Sequence, residues 1–171
     1  MKILIAYAGR AGVTKECAEL LKKELYGREV TLCDLKKEIP KPEDFDTVIV
    51  GSAIYFGKAE KTARSFLRAN AKELAKKRFG GFVCCAFSDM ADKYIEETFS
   101  PELRRVAVDC AYFGGELKPD KQKNFFYKML VRTMRNEIIN NGDSDDESEI
   151  RILPEINPSE IVKFADKLKK S

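Results

Sequence analysis

Two short stretches of this sequence hold residues whose types and spacing could do chemistry. The first reads Ala8-Gly9-Arg10-Ala11-Gly12-Val13-Thr14 and joins an apolar run to an amphipathic one. A glycine-bearing turn from strand to helix presents several unpaired backbone N–H groups at the helix start, where the helix dipole also favours negative charge. Gly9 and Gly12 permit positive φ and the close approach of a phosphate. Arg10 can add a bidentate, charge-assisted contact, and Thr14 a hydroxyl. The spacing is neither that of the nucleoside-triphosphate loop nor GxGxxG, so a nucleoside triphosphatase is not expected. Taken by itself, an anion site and a plain turn that needs glycine stand about even. The second stretch reads Gly51-Ser52-Ala53-Ile54-Tyr55-Phe56-Gly57-Lys58. Two adjacent aromatics between glycines sit where a buried strand should leave its sheet. Large aromatics at a loop tip expose apolar area unless something flat covers them. One aromatic facing a ligand and the other facing the core is the expected arrangement. The alternative packs Phe56 beneath the following helix.

Other chemistries are excluded by composition. There is no histidine, which removes Ser-His-Asp and Cys-His catalysis, His-ligated metals and His proton shuttles together. The five cysteines, Cys17, Cys33, Cys84, Cys85 and Cys110, never form CxxC; they read as buried free thiols, with no metal site. The adjacent Cys84 and Cys85 are expected inside a strand, pointing to opposite faces, as small hydrophobes rather than a redox pair. A net charge of +3 is too mild to imply nucleic acid.

The elements that must position these stretches alternate in type. Strands are expected at 2–7, 30–33, 47–53, 81–87 and 105–110, from short apolar runs. Helices are expected at 14–26, 59–77 and 93–99, the last stopped before Pro101. A final helix opens at Asn157-Pro158-Ser159-Glu160, with Asn157 as N-cap, Pro158 first and Glu160 three on from the cap. Its stripe is Ile161, Val162, Phe164, Ala165 and Leu168. Five strands alternating with helices give an α/β fold: a doubly wound five-stranded parallel sheet of order 2-1-3-4-5, covered on both faces. Ligands of such a sheet bind beyond the carboxyl ends of the strands, at the switch point between strands 1 and 3. Function should therefore sit after Tyr7, after Ser52 and after Phe87. The 171 residues fit one domain, residues 1–171, with an insertion after strand 5 at about 111–156.

With the glycine turn and the aromatic loop on one sheet edge, the chain resembles a flavodoxin. More narrowly, it is similar to the flavodoxin-like, quinone-dependent protoporphyrinogen oxidase family. The likeness is carried by Arg10-x-Gly12-x-Thr14, by Phe45-Asp46-x-Val48-Ile49-x-Gly51, and by Gly51-Ser52-Ala53-Ile54-x-Phe56-Gly57. Asn124-Phe125-Phe126-Tyr127-Lys128-Met129-Leu130, followed by a glycine and acidic residues, is similar to that family's late insertion. The resemblance implies FMN as cofactor. Its phosphate would lie on Gly9, Arg10, Ala11, Gly12, Val13 and Thr14. Its isoalloxazine would lie between Ala53, Ile54, Tyr55, Phe56 and Gly57 on one side and Phe87, Ser88, Asp89 and Met90 on the other. Flavodoxins usually carry Ser or Thr where this chain has Gly9 and Ala11, so backbone amides, Arg10 and Thr14 are left to hold the phosphate.

Three functions then compete: an FMN-dependent oxidoreductase with a small-molecule or quinone redox partner, an electron carrier, and a flavin-free interaction module. The insertion offers the partner surface. Residues 118–135 hold six basic residues against one acidic, with Phe126, Met129, Leu130 and Met134 at helical spacing. Such a helix can lie on an anionic membrane or dock an acidic protein; the alternative lays it over the domain's own sheet. The longest uncharged run is eleven residues, Thr47 to Gly57, against about 20 for a spanning helix. The expected location is the cytoplasm, or the inner face of a membrane as a peripheral protein.

Overall fold

A computed structural model describes residues 1–115, 132–133 and 155–170. Strand β1 runs Lys2–Ala8, and from Ile3 onward every residue is buried. Such a strand has no solvent face, so it must be central and covered on both sides. Its odd residues Ile3, Ile5 and Tyr7 enter one core layer and its even residues Leu4, Ala6 and Ala8 the other. Helix α1 (Val13–Glu24) covers the first layer with Cys17, Ala18 and Leu21. Strand β2 (Glu29–Asp34) pairs parallel with one edge of β1, and β3 (Thr47–Tyr55) pairs parallel with the other. The remaining strands are β4 (Lys58–Ala59), β5 (Arg78–Cys84) and β6 (Ala107–Tyr112). The sheet order is β2-β1-β3-β5-β6, with β4 hung antiparallel on the end of β3. Setting aside the two-residue β4, this is the doubly wound order 2-1-3-4-5.

The opposite layer is covered by α2 (Lys61–Ala69), α3 (Ala71–Leu74) and α5 (Pro101–Val106), which contribute Phe66, Leu67, Leu74 and Leu103. Helix α4 (Ala91–Thr98) follows β5, and α6 (Pro158–Lys170) closes the chain against the first layer. Phe82 stacks on Phe113 with ring centroids 4.5 Å apart, and Phe113 meets Phe164 of α6 edge-on at 5.3 Å.

Several expected boundaries move. The helix expected over 59–77 is two helices, parted at Asn70, whose side-chain amide donates to the Phe66 carbonyl. The fourth main strand begins at Arg78 and ends at Cys84 rather than spanning 81–87. Gly81, expected to start the strand, and Gly80, expected to precede it, both lie inside it: a Cβ would fall 2.9 Å from the Phe164 ring at Gly80 and 2.6 Å from the Phe99 ring at Gly81. Glycine there lets rings press on both faces of the strand. Cys84 is thus the last strand residue and Cys85 lies beyond it; all five cysteines are free, and only Cys110 is not fully buried. The strand expected at 105–110 starts at Ala107, because Ser100 caps a helix at Pro101. On α6 the Asn157 cap forms, its Oδ1 accepting from Glu160 N–H at 3.3 Å. Val162 lies outside the buried stripe and is exposed.

The two ends of the late segment are stitched together. Gly114 and Ile156 form an antiparallel bridge, Gly115 N–H donates to the Glu155 carbonyl, and Asn157 N–H to that of Phe113. Residues 116–154 apart from 132–133, and with them the amphipathic helix expected over 118–135, lie outside the described residues.

Candidate functional site

The register of β1 and β3 places Ala8 beside Ser52, and that of β3 and β5 places Ala53 beside Cys84. Three chain segments therefore emerge side by side from the carboxyl edge of the sheet. They are the turn after β1, the β3–β4 hairpin, and the loop after β5.

The turn after β1 enters α1 through Gly12, whose φ of 89° lies in the left-handed region where glycine is favoured. No side chain caps the helix. Glu16 N–H is bonded to the Gly12 carbonyl, and the amides before it have no helical carbonyl to meet. Within this turn Thr14 is buried, and its Oγ1 has no geometric hydrogen-bond partner among the described residues. The Cys84 sulfur lies beside it and can take the hydroxyl proton, but only as a weak acceptor. An orphaned buried hydroxyl costs about 1–3 kcal/mol. The hydroxyl faces Gly9, where a Cβ would stand 2.7 Å from Oγ1. A serine or threonine at position 9 is thus incompatible with Thr14 in this rotamer. The absence of that hydroxyl is a packing consequence of the hydroxyl at Thr14.

The hairpin after β3 pairs Ile54 with Ala59 and Tyr55 with Lys58, which leaves Phe56-Gly57 as a two-residue turn. Both residues have positive φ, 50° and 73°, as a right-twisted hairpin requires. The expected strand end at Ala53 is accordingly corrected to Tyr55. Phe56 is 69% exposed, so it does not pack beneath α2. Tyr55 is half-buried and turns back: its Oη accepts from Arg10 N–H at 2.8 Å and also from Ala11 N–H. The Arg10 guanidinium sits over the Tyr55 ring, 4.9 Å from its centroid, and its Nε is 3.7 Å from Glu60 Oε1. Arg10 is thereby directed to the hairpin, where the sequence suggested a contact to an anion.

Glu60 was not singled out by sequence. It is 7% exposed and caps α2, accepting from Thr62 N–H at 2.7 Å and Thr62 Oγ1 at 2.9 Å. Burial pushes its carboxyl up, but the two bonds from Thr62, with Arg10 and Lys36, outweigh this and hold it below the ordinary carboxylate value. Its own N–H donates to Ser52 Oγ at 2.9 Å, tying the start of α2 to the end of β3. Burial likewise raises Tyr55 above the usual phenol value, opposed by the two amides and Arg10.

In the third segment Phe87, Ser88 and Asp89 are exposed, and Ser88–Met90 forms one 3-10 turn before α4. The exposed Phe87 stands on the same edge as Phe56. Helix α4 reaches the hairpin through Tyr94, whose ring would lie 3.9 Å from a Cβ at Gly57. Cys85 is pushed up to about 11 by burial, despite the Phe87 amide, so it is not a thiolate nucleophile near neutral pH.

The glycine turn after β1 and the aromatic segment after β3 thus meet at one edge of the sheet, the first opening an uncapped helix and the second forming a hairpin in place of the expected loop. A family model described as Flavodoxin domain matches residues 4–146. The chain belongs to that flavodoxin family. Among solved structures it is similar to Megasphaera elsdenii flavodoxin in its two-electron reduced form, at 14% identity over 78% of this chain and 98% of that one, with a TM-score of 0.55. It is also similar to a Fusobacterium nucleatum flavodoxin variant bound to flavin mononucleotide, at 15% identity over 99% and 95%, TM-score 0.51. Oxidised flavodoxin 1 from Bacillus cereus aligns at 15% identity over 82% and 98%, TM-score 0.50. At these identities the likeness is one of fold. No curated protein matches the chain.

Proposed function

We propose that this flavodoxin-family chain binds FMN and works as a redox protein. The observation that carries the reading is the buried Thr14 hydroxyl, without a geometric hydrogen-bond partner among the described residues, in an uncapped helix-start turn, on the same sheet edge as the exposed ring of Phe56, β1 and β3 being adjacent strands. The first is a buried polar group with only sulfur beside it, and the second an exposed apolar ring on which a flat π-system could stack. The turn amides and Thr14 would hold the phosphate, and Phe56 with Phe87 would flank the ring. When bound, FMN supplies hydride and single-electron chemistry, which belongs to the cofactor and not to the protein side chains. The FMN-bound Fusobacterium flavodoxin supports the reading.

The narrower reading is a quinone-linked oxidoreductase acting on a lipophilic or porphyrin-like substrate. It rests on the resemblance of the late insertion, whose basic, amphipathic stretch 118–135 would dock an anionic membrane surface or an acidic partner. An electron carrier is the second reading. It is favoured by the exposure of Phe56, which would leave a stacked ring edge open to a protein partner.

Titrating the purified chain with FMN should quench flavin fluorescence and shift the visible spectrum. No quenching at tens of micromolar, where a cofactor site should bind, overturns the flavin reading in favour of an interaction module. Turnover with a quinone separates enzyme from carrier. Deletion of residues 118–141 should keep FMN binding and abolish that turnover; turnover that survives the deletion removes the docking role.

A further inference from the structure

We infer that the Tyr55 hydroxyl competes with the flavin phosphate for the turn after β1, and so determines how much that phosphate contributes to binding. The inference rests on the FMN reading above. The phenol oxygen accepts from the backbone N–H groups of Arg10, at 2.8 Å, and of Ala11. These are donors an anion in the same turn would use. Tyr55 is delivered there by the β3–β4 register, which pairs it with Lys58. It is held by the Arg10 guanidinium on its ring, itself tied to the buried Glu60. The turn is nevertheless only part-filled. Thr14 Oγ1, facing Gly9 in the same turn, is buried and has no geometric hydrogen-bond partner among the described residues. A single phenol oxygen answers two amides and leaves the hydroxyl; a phosphate, with several oxygens, could answer all three.

The exchange is uneven in strength. Amide bonds to a phosphate dianion are charge-assisted, roughly twice as strong as those to a neutral oxygen, so the phosphate displaces the phenol. What the protein gains is only the difference between the two sets of bonds. The turn and the hairpin therefore change together, and a residue of the ring-binding loop regulates the phosphate subsite.

The test compares Tyr55→Phe with wild type, full chain, using FMN and riboflavin as probes. Phenylalanine keeps the ring and the cation over it but releases both amides. FMN should bind the variant roughly 3–10-fold more tightly, while riboflavin, lacking the phosphate, binds both proteins alike. In the ligand-free protein, amide hydrogen exchange at Arg10 and Ala11 should be faster in the variant. Weaker FMN binding with riboflavin unchanged would make the hydroxyl a phosphate ligand and overturn the inference, as would equal FMN affinity or unchanged exchange at the two amides. Failure of wild type to bind either flavin overturns the FMN reading itself, and the inference with it.

Discussion

The turn after β1 and the hairpin after β3 solve one problem in opposite ways. Both reverse the chain at the same edge of the sheet, and both need left-handed backbone. The first assigns it to Gly12, at φ 89°, where it costs little. The second assigns it to Phe56, at φ 50°, where an L side chain costs about 1–2 kcal/mol. An asparagine would serve that hairpin better. Phe56 is mostly exposed, so core burial does not repay the strain. Strain kept at an exposed position points to a use for the ring. The difference teaches that the turn after β1 is shaped by fit, and the hairpin by a side chain retained against its backbone preference.

Breaking the fit should have the largest effect. Gly9→Ala places a Cβ 2.7 Å from Thr14 Oγ1 and 3.0 Å from its Cβ, and threonine is too stiff at χ1 to yield cheaply. We expect about 1–3 kcal/mol of destabilisation, measured by urea unfolding, and loss of FMN binding. In a Thr14→Ala background the same change should cost far less. Additive costs in the double variant would show that the two residues do not share one space.

Thr14→Val should separate stability from binding. Valine keeps the shape and removes the orphaned hydroxyl, so the ligand-free protein should gain about 1 kcal/mol while FMN affinity falls. A variant that loses both would mean the hydroxyl is satisfied before ligand arrives. Phe56→Asn should do the same on the ring side. Relief of the turn should raise stability by about 1 kcal/mol, while the flavin binds more weakly, by on the order of 1 kcal/mol, and its reduction potential moves. Unchanged affinity and potential would leave the strain without a purpose.

How far the sequence could be read follows the same division. Strands with no polar face, such as β1 and the start of β3, declared themselves as central, and the sheet order followed from strand and helix alternation. Gly12 was legible as a turn residue because glycine takes the left-handed backbone found there at little cost. The hairpin was not legible, because the usual mark of a two-residue turn is Asn-Gly or Asp-Gly, and Phe56-Gly57 hides it. Helix α5 was missed for a similar reason. Pro101 was read as ending a helix, whereas Ser100 Oγ accepts from Leu103 N–H at 3.4 Å and opens one. Arg10 and Tyr55 could not be joined from sequence, being 45 positions apart and brought together only by strand register.

The smallest effect tests the member that holds the two regions together. Glu60 is absent from the usual helix-cap residues, yet it accepts both Thr62 bonds and faces Arg10 across the gap between turn and hairpin. Its carboxyl is held below the ordinary value in the folded chain. The unfolded chain therefore takes up the proton first as pH falls. The stability this carboxylate contributes is fully present above its unfolded pKa of about 4.3, and is lost as pH drops through the lower folded value. Glu60→Gln keeps the size of the side chain and the cap's acceptor oxygen but removes the charge. At neutral pH the variant should unfold at slightly lower urea, by well under the effect of Gly9→Ala. Between about pH 4.3 and the folded value the gap should close, because wild type is losing what the variant never had. A gap that stays constant down to pH 3 would assign Glu60 a cap role alone, with Arg10 held to the hairpin by the Tyr55 ring and not by charge.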